Sequence, residues 1–298
     1  MRIGVDVGGS KIEAIVIRND GSVAEKIRVD TPAESYSATV EMICNVIKRL
    51  QMAVPLSVGI GTPGAISMPS QLMKNSNSVC LNNRPFKKDI EKTLGYEIRL
   101  ENDANCFTLS EAHYGAAKDS KNVFGVIIGT GCGGGVVIDK KLVTGPNSIA
   151  GEWGHNPIPI SARELIKADR ACYCGKTNCN ETVLSGRGLQ QTFNELTGQK
   201  KSAKLISASA INGDTAAIKC IEIYADQLAR CLSTIINILD PHIIVLGGGL
   251  SNIELLYGLV PNYLNGNVFT DVIHTKILAP TFGDASGALG AACLWDIP

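Results

Sequence analysis

The chain has no net charge. Its 298 residues balance 28 Lys and Arg against 28 Asp and Glu, which offers no electrostatic reason to expect nucleic acid or an anionic membrane as a partner. No apolar run reaches the length of a membrane span, and there is no low-complexity tract, charge block or repeat of solenoid period. Polar Gly8-Gly9-Ser10-Lys11 interrupts the N-terminus too early for the apolar centre of a secretion signal. These absences argue against membrane and fibrous classes and lead to the expectation of a cytoplasmic protein. Ten cysteines without a secretion signal then point to a reducing compartment, where metal binding or burial explains thiols better than disulfides. What is abundant is glycine, 31 residues against a usual share of roughly 7%. The glycines cluster after apolar runs, as expected where backbone approaches phosphates. The length allows one or two domains, and 45% hydrophobic with 19% charged residues is ordinary for a soluble enzyme.

The stretch Ala150–Glu181 holds the densest chemistry. His155 is followed by Cys172, Cys174 and Cys179, one imidazole and three thiolates that can surround a tetrahedral Zn²⁺. Gly175 lets the backbone turn sharply between the thiolates. Four protein ligands leave no open position, so such a zinc is structural. Glu152 stands three residues before His155 and Glu181 two after Cys179, so the metal pins a loop displaying two carboxylates. Each alone reads as a solvated charge. As a pair on one pinned loop they favour binding of a polyol's hydroxyls.

Two strand–glycine–strand units flank other candidates. Met1–Val7 runs through Gly8-Gly9-Ser10-Lys11 into a second β-branched run, Ile12–Ile17, an arrangement that turns backbone N–H groups toward phosphate oxygens. It is not a P-loop, because the Lys–Ser order is reversed and a strand follows where a helix is required. Asp6 can orient Mg²⁺ through water or cap the turn. Val123–Ile128 leads through Gly129-Thr130-Gly131-Cys132-Gly133-Gly134-Gly135 into Val136–Ile138. The glycine spacing resembles a dinucleotide fingerprint, but no helix follows. Two such hairpins suggest two related halves facing a nucleotide. Helical spacing at Tyr36, Val40, Ile43, Ile47 and Leu50 predicts a core-facing helix. Helices are also expected over Pro85–Leu94, Asp103 to about Ala117 and Asp214–Leu239, and strands over Leu56–Ile60, Glu97–Leu100 and His242–Leu246. Asp103, at a strand end where a helix begins, is either an N-cap or a general base at the carboxyl edge of a sheet. The four asparagines of Lys74–Asn83 can reach a hydroxylated ligand or serve a solvated loop. Gly247-Gly248-Gly249 makes a tight turn or a bare surface for an adenine ring. Asp284 can cap a last helix rich in Ala and Gly.

Together DVGGSK, TPG, NDAN, GTGCGGG, GEWGH and CYCGKTNCNE, in this order, resemble the ROK sugar kinases of the actin-like ATPase superfamily. The resemblance covers essentially the whole chain. KNSNSVCLNNRPF, IIGTGCGGGV, AGEWGHNP and CYCGK look closest to the family's bacterial fructokinases of the mannofructokinase type, with N-acetylglucosamine kinases as near neighbours. The resemblance implies an α/β, two-lobed actin-like (ribonuclease H-like) fold with ATP in a cleft and sugar beside a structural zinc loop. One lobe would be residues 1–117 completed by 284–298, the other 118–283 with the zinc loop 150–181. By match to the motifs, Asp6, Gly8, Gly9, Ser10, Lys11, Thr130, Gly131, Gly133 and Gly134 belong with the phosphates, and Gly247 and Gly248 with the adenosine. Asn102, Glu152, His155 and Glu181 match sugar-binding positions, with one His155 nitrogen on zinc and the other toward the sugar. Asp103 matches the catalytic base. Ser10 replaces the usual Thr and Asn178 the usual Gly before the third Cys. If position 178 has positive φ, Asn is among the few residues that tolerate it. The implied activity is an ATP- and Mg²⁺-dependent fructokinase forming the 6-phosphate, alternatively an N-acetylglucosamine kinase or glucokinase, and commonly a homodimer. The family's repressors carry an N-terminal helix-turn-helix, whereas the first strand here begins at residue 3, so a kinase is expected and a DNA-binding or scaffold role is not.

Overall fold

A computed structural model of the chain describes residues 1–53 and 55–296, apart from the side chain of Asp284. The expected cap by Asp284 therefore lies outside the described residues. The chain divides into two compact units: Met1–Asp119 with Gly135–Ala150 and Phe282–Pro298, and Ser120–Gly134 with Gly151–Thr281.

In the first unit, β1 (Arg2–Val7) turns at once into β2 (Lys11–Ile17), and β2 into β3 (Val23–Asp30). Both pairings are antiparallel. Helix α1 (Tyr36–Leu50) then crosses to β4 (Ser57–Thr62), which lies parallel to β1. A two-stranded ribbon, β5 (Ala65–Ile66) with β6 (Met73–Lys74), precedes α2 (Phe86–Leu94). Next come β7 (Arg99–Asn102), parallel to β4, and α3 (Asp103–His113). The sheet order is β3-β2-β1-β4-β7. Its core is the predicted apolar face of α1, with Val40, Ile43, Ile47 and Leu50 all buried against Ile3, Val5 and Ile60. The edge strand β3 escaped the sequence reading because its side chains are mostly exposed and charged. It is held by the buried Glu13 carboxylate, which Lys26 Nζ meets at 2.8 Å and Arg28 Nε at 3.3 Å.

The second sheet repeats that order. It comprises β8 (Val123–Ile128), β9 (Cys132–Ile138), β10 (Lys141–Leu142), β11 (Ile243–Gly247) and β12 (Lys276–Leu278), arranged β10-β9-β8-β11-β12. Strands β8, β11 and β12 are parallel. Between β10 and β11 the chain forms short helices α4 (Ile160–Arg163) and α5 (Glu181–Leu184), then α6 (Gly186–Thr197), α7 (Ala203–Ile211) and α8 (Thr215–Leu239). Asp214 caps α8, accepting from Ala216 and Ala217 N–H at 3.0 and 3.1 Å. Helix α9 (Leu256–Leu264) leads to β12. Residues 135–150, expected in the second lobe, group with the first unit. Gly135 rests against Ala104 and Thr108 of α3, and Lys140 Nζ donates to Ala112 O at 2.7 Å, satisfying a carbonyl at the helix's C-terminal end.

The last helix, α10 (Ser286–Ala292), returns to the first sheet. A Cβ on Gly4 would fall 1.9 Å from Ala288 O, and one on Gly59 would fall 1.8 Å from Ala291 O. The small residues of α10 are thus matched by glycines in β1 and β4. Among the described residues no helix is long and apolar enough to cross a membrane.

Candidate active site

In the second unit the loop that carries the candidate zinc ligands is seated by a tryptophan. Trp153 is buried, donates Nε1–H to Gly133 O at 2.8 Å and stands edge-on to Phe124 with centroids 5.8 Å apart. This anchors His155, two residues further on. The cysteine turn is closed by Cys172 N–H to Lys176 O at 2.8 Å, with Gly175 at φ +87°. Asn178 has φ +54°, the left-handed conformation that Asn tolerates and that a replaced glycine requires. The four candidate ligand atoms lie within 4.8 Å of one another. His155 Nδ1 is 3.6 Å from Cys172 Sγ, and Cys174 Sγ is 3.6 Å from Cys179 Sγ. Ligands around a tetrahedral Zn²⁺, at bond lengths of about 2.0–2.3 Å, stand roughly 3.5–3.8 Å apart, so the donor set and spacing both fit the ion. Burial pushes the Cys179 thiol up to about 12 and raises Cys172. A dication would reverse this by holding both as thiolates. Beneath the loop, buried Arg170 meets Glu195 Oε2 at 3.0 Å and donates to Thr182 O at 3.1 Å and Gly188 O at 3.2 Å.

The two carboxylates of the loop differ. Glu152 is exposed. Glu181 opens α5, and its Oε2 accepts from Cys132 N–H at 3.0 Å. A Cβ at Gly131 would lie 2.7 Å from that oxygen, so Gly131 is glycine to admit Glu181. The zinc loop and the second glycine turn are therefore one construction, which sequence spacing did not reveal. Gly129 closes the turn, donating to Gly131 O at 3.0 Å and accepting from Gly186 N–H at 2.7 Å. Gly133 and Gly134 lie in β9, where a Cβ on Gly134 would be 2.9 Å from the Trp153 ring. The smallness of Gly134 seats the Trp153 ring, and Gly133 supplies the carbonyl it donates to. Tyr173, between two of the cysteines, brings its hydroxyl to 3.0 Å from His155 Nε2. Burial first, then the charges of Glu181 and Glu152, push that phenol up to about 12.

Thr130 and Gly129 also line a pocket of about 840 Å³ with Gly186, Arg187, Lys204 and Asn252, ample for a small-molecule ligand. Gly249, Leu250 and Ile253 form part of its wall. Gly248, beside them, has φ +81°, and a Cβ there would be 2.6 Å from Ile128 O. The sequence reading missed Arg187, Gln190, Lys204 and Ser207. Their signal is a polar residue recurring after three positions on one face of α6 and of α7.

In the first unit the parallel strands end together. Register pairs Asp6 with Gly61 and Thr62 with Asn102, which puts Asp6, Asn102 and Asp103 at the carboxyl edge of the sheet, where α/β folds bind ligands. The N-cap is Asn102: its Oδ1 accepts from Ala104 N–H at 2.8 Å and its Nδ2 donates to Gly64 O at 3.1 Å. Asp103 is the first helical residue and is exposed, with Oδ1 2.9 Å from the same N–H. Glu101, absent from the sequence reading, accepts from Asn105 Nδ2 at 2.9 Å, and burial raises its carboxyl. The buried Cys106 thiol is raised well above its ordinary range, by burial first and then by Glu101, Asp6 and Asp103, so the three carboxylates converge around it. Asp6 packs against Gly287, where a Cβ would come within 2.6 Å of its carboxyl carbon. In the glycine turn, Gly8 N–H donates to Lys11 O at 2.9 Å, and Thr31 Oγ1 donates to Gly8 O at 2.8 Å. Gly9, Ser10 and Lys11 remain exposed. In the asparagine-rich loop, Asn82 is spent on Ser76 N–H and O, while Asn75 and Asn83 hold left-handed backbone.

The ROK family profile matches residues 2–297. The chain belongs to the ROK family. The N-acetyl-D-glucosamine kinase of Histophilus somni is 38% identical over 301 residues, covering 99% of this chain and 99% of that one. The crystal structure of the ROK hexokinase from Thermus thermophilus matches with TM-score 0.86 and 26% identity, over 98% of this chain and 96% of that one. A ROK glucokinase from Streptomyces griseus, in complex with glucose and AMPPNP, gives TM-score 0.78 and 27% identity over 98% of both chains. The expected actin-like ATPase fold and sugar-kinase class are borne out by these relatives. The expected preference for fructose is not: the curated relative is an N-acetylglucosamine kinase, the alternative reading. Motifs that build a scaffold do not choose the sugar, since one fold can serve several substrates.

Proposed function

We propose that this chain transfers the γ-phosphoryl group of ATP to the 6-hydroxyl of N-acetylglucosamine. The observation that carries the reading is full-length similarity to an N-acetylglucosamine kinase, together with a zinc-pinned loop presenting Glu152, His155 and Glu181. On this reading these three side chains and Asn102 take the sugar's hydroxyls. Asp103, exposed at the head of α3, accepts the proton of the attacking hydroxyl. Amides of the Gly8–Lys11 and Gly129–Gly131 turns are neutral donors for phosphate oxygens, and Lys11 adds charge. Adenosine occupies the pocket walled by Gly249, Leu250 and Ile253, with Arg187 and Lys204 at its margin.

Two metals belong to the reading. Zn²⁺ on His155, Cys172, Cys174 and Cys179 holds the loop's shape, since four protein ligands leave no place for substrate. Mg²⁺ accompanies ATP and offsets charge on the phosphates, and Asp6 is the carboxylate that would take a water of its shell. A homodimer is part of the proposal by family resemblance, and light scattering at twice 31.6 kDa would support it.

The test is a coupled ADP-release assay across N-acetylglucosamine, fructose, mannose and glucose. N-acetylglucosamine is expected to give the highest kcat/KM. A higher value for fructose would restore the fructokinase reading.

A further inference from the structure

We propose that Tyr173 gates the acceptor site: its hydroxyl holds His155 Nε2 while no sugar is bound and yields that nitrogen to a hydroxyl of the incoming sugar. This rests on the acceptor reading above. Tyr173 lies between two candidate zinc ligands, Cys172 and Cys174, yet the residue is 77% exposed. It contributes little to a core. Its ring stands edge-on to His155 at 85°, with centroids 5.1 Å apart, and its hydroxyl turns back to lie 3.0 Å from Nε2. An exposed phenol would ordinarily leave its hydroxyl to water. Here the hydroxyl is directed at the histidine.

The chemistry of the imidazole makes the contact exclusive. Nδ1 faces Cys172 Sγ, so a metal-bound, neutral His155 carries its single proton on Nε2. That N–H has one strong hydrogen bond to give, and Tyr173 Oη takes it. The phenol also feels the charges of Glu181 and Glu152, the two carboxylates proposed to hold the sugar. A sugar hydroxyl that donates to a carboxylate can accept from Nε2–H at the same time. It thus competes with Tyr173 for one proton. At 77% exposure the side chain has room to turn about its own bonds and clear the nitrogen. A net neutral hydrogen bond lost in this exchange taxes the sugar's affinity by about 2- to 10-fold.

The test compares the zinc-loaded wild type with Tyr173→Phe, which keeps the ring and removes the hydroxyl. Calorimetry with N-acetylglucosamine is expected to show a Kd about 2- to 10-fold lower in the variant, while the KM for ATP stays put. Nitrogen-15 NMR is expected to show different His155 Nε2 resonances in the two sugar-free proteins, and the difference should vanish at saturating sugar. An unchanged or weaker Kd in a variant of full zinc content, or identical sugar-free His155 resonances, would overturn the gate. Wild type that binds none of the four sugars would remove the acceptor reading and the gate with it. Wild type that binds sugar, with an unresponsive variant, removes the gate alone.

Discussion

Asp103 and Asn102 are neighbours with different tasks, and the difference is one of backbone. Asn102 still has extended backbone, φ −65° and ψ 148°, so its short side chain folds over the first turn and satisfies a helix N–H. Asp103 is already helical and does not need to cap. That division leaves the capping to Asn102 and sets the exposed Asp103 carboxylate at the sheet's carboxyl edge. Asp103→Asn is expected to lower kcat by roughly 10²–10⁴-fold, the usual worth of a general base, with sugar still bound. Steady-state kinetics plus sugar calorimetry check this. Half the activity surviving would reduce Asp103 to a helix-end carboxylate.

At the scale of the element, the zinc knuckle is a loop with almost no regular structure, organised by its end points. Trp153, Arg170 and the left-handed Asn178 set the backbone, and the metal would lock the four side chains. Because Glu181 also grips Cys132 N–H, disorder in the knuckle would spread to the adjacent glycine turn. Cys174→Ser replaces a thiolate with a poorer zinc ligand. It should lose the ion and raise the sugar KM strongly, since a displacement near 1 Å can cost about 10²-fold. The effect on ATP is expected to be smaller but measurable, because Glu181 touches the turn at one point only. Metal analysis and circular dichroism must accompany the kinetics, as structural zinc also supports folding. A zinc-free but folded variant with normal sugar KM would separate the metal from the acceptor site.

For the molecule as a whole, the two sheets share one strand order, β3-β2-β1-β4-β7 and β10-β9-β8-β11-β12, so each sheet carries a glycine hairpin and a parallel strand edge. Stability should also depend on acid. His113, at the end of α3, is half-buried with Nε2 3.0 Å from Lys140 O, and burial lowers its pKa below the ordinary 6.5. The folded state therefore binds fewer protons than the unfolded chain just below pH 6.5. Its contribution is complete above that pH and is lost as pH falls through the lower folded value. Glu101, raised by burial, acts oppositely: its contribution is present at low pH and is lost as pH rises past its ordinary 4.5 through the raised value. His113→Gln keeps a donor for Lys140 O without titrating. Thermal melts of this variant should decline less steeply than wild type as pH drops below 6.5. Parallel curves would show that His113 is not responsible.

Local chemistry determined much of this protein without help from the fold. The 3.6-residue period of α1 and the β-branched runs of β1, β2, β8 and β11 named the main elements. The candidate zinc set stood out because one glycine-punctuated segment holds His155, Cys172, Cys174 and Cys179 within 25 positions, and the structure brings these four side chains together. The left-handed backbone at Asn178 meets the condition raised by the family's usual glycine there. What the sequence could not show was anything depending on contacts distant along the chain. Glu181 meets Cys132 across 49 residues, Gly4 and Gly59 are glycine because a helix near the C-terminus lies on them, and Trp153 dictates Gly134. Edge strand β3 was hidden because it is mostly exposed and charged, and its apolar alternation is confined to Ile27 and Val29. The sugar's identity was least legible of all. Hydroxyl recognition depends on where a few side-chain oxygens and one ring nitrogen stand in space, and only folding places those atoms.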